Sequence, residues 1–143
     1  MGKIISRIYY EINVKLVSPL SVSSGLGENT DSDVLLDGNG KAFVPGSSLA
    51  GAMRRYAEQK KEDPGLFGYS KKQDGRMSSL WISDLIFDTD PVITDRDNVK
   101  LTDERIAAPG AKFNTEIIET GVAGQFHMEY IRREGEIDYS NLI

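Results

Sequence analysis

The run Phe43-Val44-Pro45-Gly46-Ser47-Ser48-Leu49-Ala50-Gly51-Ala52-Met53-Arg54 joins a strand end to a helix start through one sharp turn, and the remaining elements have to be arranged around it. A helix N-terminus presents unpaired backbone N–H groups and the positive end of the peptide dipoles, a combination suited to a phosphate. Small residues allow a sugar-phosphate backbone to come close. Arg54, further along the helix, adds a planar fork that matches phosphate oxygens. The segment therefore reads as a cradle for a nucleic-acid backbone.

The helix is expected to begin near Ser47 or Ser48, either of which can cap it. Leu49, Met53 with Ala52, Tyr56 and Ala57 fall at helical spacing and are expected to face the core. Arg54, Arg55, Glu58 and Lys61 fall mostly off that face. Gly51 inside the helix costs on the order of 1 kcal/mol relative to alanine. Close approach by a partner backbone and packing of the helix on a sheet each account for that cost. Asp63-Pro64-Gly65 ends the helix.

Elsewhere the pattern is of strands. Ile8, Tyr10, Ile12, Val14 and Leu16 alternate with more polar positions, the period of a strand. Ser18-Pro19 ends it, and a loop rich in turn formers runs from Ser21 to Asp33. Val34-Leu35-Leu36 and Lys41-Ala42-Phe43-Val44 are two short strands joined by the hairpin signal Asp37-Gly38-Asn39-Gly40. Leu66-Phe67-Gly68 is a short apolar anchor, and Ser70 to Gly75 is a basic loop. Leu80 to Phe87 reads as one strand buried on both faces. Residues 88–114 are polar with little periodicity, a length that usually carries function. Thr115 to Glu119 and Gln125 to Arg132 are two strands joined around Gly121 and Gly124. The order predicts an α+β sheet with a helix on one side, in a single domain spanning residues 1–143.

The chain has 143 residues, enough for one domain with a modest core. It has no apolar run of bilayer length, and its first residues begin a strand rather than a signal peptide, so no membrane partner is expected. With no cysteine, disulfides and thiolate metal sites are excluded, which suits a cytoplasmic location. The net charge of −5 argues against a nucleic-acid binder, but its distribution is uneven. Residues 1–76 hold eleven basic and nine acidic side chains, whereas residues 77–143 hold six and thirteen. The basic share lies in the half that contains the cradle.

Glu28-Asn29-Thr30-Asp31-Ser32-Asp33 is a second candidate site, because closely spaced carboxylates hold a divalent cation or act as a general base. Solvation of an acidic surface loop is the plainer reading. His127 is the only histidine and sits in a strand-like run as a packed or surface residue, which leaves no Ser/His/Asp triad. The sequence has neither a GxxxxGK[ST] phosphate loop nor a GxGxxG fingerprint. Core packing is the default for the aromatics, with Tyr69 and Phe113 as candidate stacking residues.

The cradle resembles the Pro-Gly-Ser-Ser-Leu-x-Gly-x-x-Arg motif of the RAMP superfamily, the RNA-binding backbone proteins of type III CRISPR effector complexes. Leu16-Val17-Ser18-Pro19-Leu20, then Asp31, Asp37-Gly38, Leu66-Phe67-Gly68 and Ser79-Leu80-Trp81-Ile82-Ser83-Asp84 match it in order, over about residues 8–131. The resemblance implies a modified ferredoxin-like (RRM-like) fold with residues 88–114 as a thumb-like insertion. It implies guide-RNA contact by Ser47, Ser48, Arg54 and Arg55, with Gly46 and Gly51 permitting close approach. It also implies metal-dependent cleavage of target RNA at Asp31, with Asp31 and Asp33 holding Mg²⁺. The partners it implies are guide RNA (crRNA), target RNA and other effector subunits, copies of this chain among them. Ala50 stands where the family often has lysine. The family's later helix and final strand are not evident before Ile143, so the chain is expected to be a truncated or split domain. A non-catalytic structural subunit, a guide-processing ribonuclease and an unrelated acidic protein-interaction domain are the competing readings.

Overall fold

The computed structural model describes residues 2–22, 34–61, 65–101 and 107–143, with backbone only across 98–113. The fold is α+β: mostly sheet, with one α-helix among the described residues. In chain order the elements are β1 (Ile4–Lys15), β2 (Phe43–Val44), α1 (Gly46–Lys60), β3 (Tyr69–Lys71), β4 (Asp74–Arg76), β5 (Leu80–Ile82), β6 (Leu85–Phe87), β7 (Ile93–Leu101), β8 (Ala107–Ile118) and β9 (Ala123–Arg133). A 3-10 turn, Ser140–Leu142, follows. The Cα packing gives two compact units, residues 1–12, 45–85 and 125–143 in one, and residues 13–44 and 86–124 in the other.

In the first unit β9 lies between β1 and β5. β5 runs antiparallel to β9, with Leu80 opposite Tyr130, Trp81 opposite Glu129 and Ile82 opposite Met128. Strand residues alternate between faces, and β9 shows it: Phe126, Met128 and Tyr130 are buried, while His127 is exposed and Gln125, Glu129 and Ile131 are half-buried. α1 packs against β5. The C-terminal segment returns to β9, where the Tyr130 hydroxyl accepts the Tyr139 N–H at 2.8 Å and Tyr139 is buried.

The helix covers less than its sequence implies. Leu49, Met53 and Ala57 are half-buried, but Tyr56 is 62 % exposed, and Gly46 is the only buried residue of α1. Ala52, Met53, Tyr56 and Ala57 instead line an open apolar groove of about 430 Å³ facing Leu66, Leu80 and Met128. Helical spacing identified the apolar stripe correctly; the described residues fill only part of the space beside it.

The stretch read as a single strand over 80–87 is two short strands, β5 and β6, interrupted at Ser83-Asp84. Nor is it buried on both faces. Leu80 and Leu85 are buried, whereas Trp81 and Ile86 are 68 % and 54 % exposed. The basic loop over 70–75 is a β3–β4 hairpin, in which Tyr69 pairs with Arg76 and Lys71 with Asp74. The Asp74 carboxylate accepts the Tyr69 hydroxyl at 3.1 Å and raises the phenol's pKa above its ordinary value.

The second unit has its own core. Ile118 is fully buried among Val34 and Ala42, with Leu16, Leu20, Phe87, Ile93 and Val122 packed against them. β6 lies between the first residues of β9 and β2. Leu20 and Ile118 exchange both backbone hydrogen bonds, at 2.9 and 2.8 Å. The predicted turn at Asp37–Gly40 is present: the Asp37 carboxylate accepts the Lys41 and Asn39 N–H groups, and both hold its pKa below the usual aspartate value. Within residues 88–114, most of the described positions are strand. β7 and β8 form a long antiparallel hairpin from Ile93 opposite Ile118 to Leu101 opposite Ala107, with a register shift between Val99 and Leu101. Ile118→Val removes one methylene from the centre of this core, and the expected loss is about 1 kcal/mol. Urea denaturation should show a lower midpoint with an unchanged slope.

Candidate nucleic-acid interface

The start of α1 is fixed by tertiary contacts rather than by its own serines. Pro45, in an extended conformation, is the residue before the helix, and its carbonyl accepts the Ser48 and Leu49 N–H groups at 3.0 and 3.2 Å. Gly46 is thus already helical, which places Ser47 and Ser48 two and three positions past the cap residue, too late to cap. No side-chain cap forms, contrary to the sequence expectation. Asp84, in the turn between β5 and β6, accepts the Gly46 N–H on Oδ1 at 2.8 Å. A carboxylate near a helix N-terminus is favourable, and it also offsets part of the positive potential there.

Gly46 itself is required by packing. A Cβ at this position would lie 2.2 Å from the Ile82 carbonyl oxygen and 3.0 Å from two Ser83 backbone atoms. The absent side chain makes room for the β5–β6 turn. Gly51 differs: it is exposed, and a Cβ there would meet nothing within 4 Å. Of the two glycines, Gly51 leaves open space on the solvent side.

Ser47, Ala50, Gly51 and Arg54 recur at helical i, i+3, i+4 and i+7 positions and so share one face of α1. With Gly46 they form one wall of a cleft of about 370 Å³, whose other lining residues include Phe67, Ser78, Trp81 and Ile82. Ser48 and Arg55 are exposed but do not line it. Arg54 Nε donates to Glu58 Oε1 at 3.0 Å, and both side chains are about half exposed. Exposed i,i+4 pairs contribute only about 0.3–0.5 kcal/mol, so the guanidinium is readily redirected to an incoming anion. The arrangement offers a hydroxyl, an unobstructed backbone at Gly51 and a cation in line along one wall.

Asp31 and Asp33, the expected catalytic and metal-holding residues, lie outside the described residues. Among the described residues no three His, Asp or Glu side chains form a metal-binding group. His127 is a surface residue whose backbone N–H donates to Ser83 Oγ at 2.8 Å.

Sequence reasoning missed Trp81. The signal was available in the alternation of Leu80, Trp81 and Ile82, read as two-faced burial because the break at Ser83-Asp84 was not recognised. Its ring shares a sheet face with Glu129, and Arg7 on β1 holds the Glu129 carboxylate at 2.6 Å. That contact raises the Arg7 pKa above its ordinary value.

A family model described as the RAMP superfamily matches residues 13–141. The chain belongs to the RAMP superfamily. Membership carries a CRISPR-associated, RNA-binding role. No curated protein matches the chain at a significant level. The RAMP match spans α1 and the cleft, and no helix among the described residues is long and apolar enough to cross a membrane.

Proposed function

We propose that this RAMP-superfamily chain is a guide-RNA-binding backbone subunit of a type III CRISPR effector complex, built on a modified ferredoxin-like sheet. The observation that carries the reading is the wall of α1, which aligns Ser47, Gly51 and Arg54 along one cleft within the matched region. Ser47 and Arg54 contact successive phosphates, and Gly51 lets the sugar-phosphate backbone approach. Ser48 and Arg55 add contacts from beside the cleft. Gly46 contributes indirectly, by seating the helix on the β5–β6 turn. The β7–β8 hairpin corresponds to the thumb that wedges between segments of the guide–target duplex. The partners are guide RNA (crRNA), target RNA and further subunits of the complex, copies of this chain or related ones.

The catalytic half of the proposal rests on Asp31. The target's own 2′-OH loses its proton to water and attacks the phosphorus of the adjacent phosphate. This expels the 5′-oxygen of the next nucleotide, which takes up a proton, and leaves a 2′,3′-cyclic phosphate; it requires the in-line geometry that a splayed nucleotide provides. Mg²⁺ held by Asp31 and Asp33 would supply stabilisation of the charge developing on that phosphate. Asp31→Ala in the assembled complex is expected to abolish Mg²⁺-dependent cleavage of guide-paired target RNA while RNA binding is retained. Cleavage by the variant at the unaltered rate would leave a structural subunit and remove the catalytic assignment.

A further inference from the structure

The first unit has a second surface, a sheet face on β1, β9 and β5 that meets the α1 cleft only at Trp81. Arg7 and Glu11 on β1 reach Glu129 and Gln125 on β9, at 2.6 and 2.5 Å, so the odd-numbered positions of both strands share one sheet face. Tyr9, between Arg7 and Glu11, and His127, between Gln125 and Glu129, stand on that face as well. Trp81, directly opposite Glu129 on β5, completes it. The buried residues Phe126, Met128 and Tyr130 point to the other side. Tyr9 is 71 % exposed and Trp81 68 %, high values for side chains that usually bury their rings.

We propose that this face is a stacking platform for unpaired nucleobases, with Tyr9 and Trp81 as the platforms and Arg7, Gln125 and His127 as polar neighbours for base edges. Aromatic rings on a sheet face can stack successive bases, and every base offers a π-face. The composition favours a nucleic acid over a protein partner. The core of a protein–protein contact is depleted in charge, whereas here Arg7, Glu11, Gln125, His127 and Glu129 separate the two rings. The Arg7–Glu129 and Gln125–Glu11 contacts neutralise or occupy the acidic groups, so the face does not repel a polyanion strongly. With Arg7 paired to Glu129 between the two rings, it also lacks the field of a phosphate grip. Binding there is driven by stacking and depends weakly on salt, unlike binding at the α1 wall. The inference goes beyond the guide-RNA reading and does not require Arg54.

Trp81 is the sole tryptophan and borders both this face and the α1 cleft. Its quenching is therefore read beside Tyr9→Ala, which changes a platform residue outside the cleft and should weaken oligoadenylate binding about tenfold. Titration of the full chain with a ten-nucleotide oligoadenylate RNA is expected to quench the Trp81 fluorescence, and an abasic strand of equal length is not. Trp81→Ala should weaken oligoadenylate binding about tenfold by anisotropy, and Trp81→Phe should restore most of the affinity. In an Arg54→Ala/Arg55→Ala variant the quenching should persist. Equal quenching by the abasic strand, unaltered affinity in Trp81→Ala or in Tyr9→Ala, or absence of oligoadenylate binding would each overturn the platform. RNA binding that is lost in the arginine variant and indifferent to Trp81 would overturn the platform while leaving the α1 grip in place.

Discussion

Gly46→Ala should destabilise the protein by about 3 kcal/mol, the upper part of the range for overpacking a filled site. The added Cβ would lie 2.2 Å from the Ile82 carbonyl oxygen, and neither partner is a flexible side chain that can swing away. Relief requires α1 to shift from the β5–β6 turn, which would stretch the 2.8 Å bond from the Gly46 N–H to Asp84. Gly51→Ala should have the opposite sign. Its Cβ would enter open space, and alanine is better than glycine in a helix interior by about 1 kcal/mol. For a chain of this size each kcal/mol moves the melting temperature by about 3 °C, so the two variants should melt on opposite sides of the parent. RNA affinity completes the contrast: Gly51→Ala should be more stable and bind more weakly, because the space it fills is the space that the proposed α1 grip assigns to the RNA backbone. A glycine pair that looks equivalent in Pro45-Gly46-Ser47-Ser48-Leu49-Ala50-Gly51 thus divides into one position required by the fold and one left open to a ligand.

That division shows where sequence reasoning reaches its limit. Period-2 alternation placed β1, the Asp-Gly-Asn-Gly turn placed the hairpin before β2, and helical spacing with flanking Pro-Gly signals placed α1. Each is a local signal. Gly46 is fixed by a turn some 36 residues downstream (Ile82), a contact with no local signature. The same turn supplies the Asp84 acceptor, so the capping serines suggested by propensity were displaced by a partner distant in the chain. β7 and the first part of β8 were unreadable for another reason, whereas the end of β8 matches the strand read over Thr115 to Glu119. Asp95, Arg96 and Asp97 on β7 are all exposed, so neither face of that stretch is apolar and no alternation is written into it. The hairpin is visible only through its pairing with β8. For the site, the motif gave the wall residues, but only the fold distinguished the cleft-lining Ser47 and Arg54 from Ser48 and Arg55 beside it, and only burial brought Trp81 forward.

The second large effect concerns Arg54 and Arg55. Arg54→Ala/Arg55→Ala should reduce affinity for single-stranded RNA about a hundredfold at low salt, each charge-assisted contact contributing about tenfold. Stability should change little, because Arg54 engages only an exposed i,i+4 partner and Arg55 is exposed. Loss of affinity alone does not identify phosphate contact; the salt dependence does. Each phosphate neutralised on a single strand contributes about −0.7 to the slope of log affinity against log salt. The most direct measurement is therefore that slope, by anisotropy on a labelled single-stranded RNA, for the parent protein and the double variant. The α1 grip predicts a slope shallower by about 1.4 in the variant. Parallel lines with equal affinity would contradict it, and the RNA contacts of this RAMP-superfamily chain would then have to be sought away from α1.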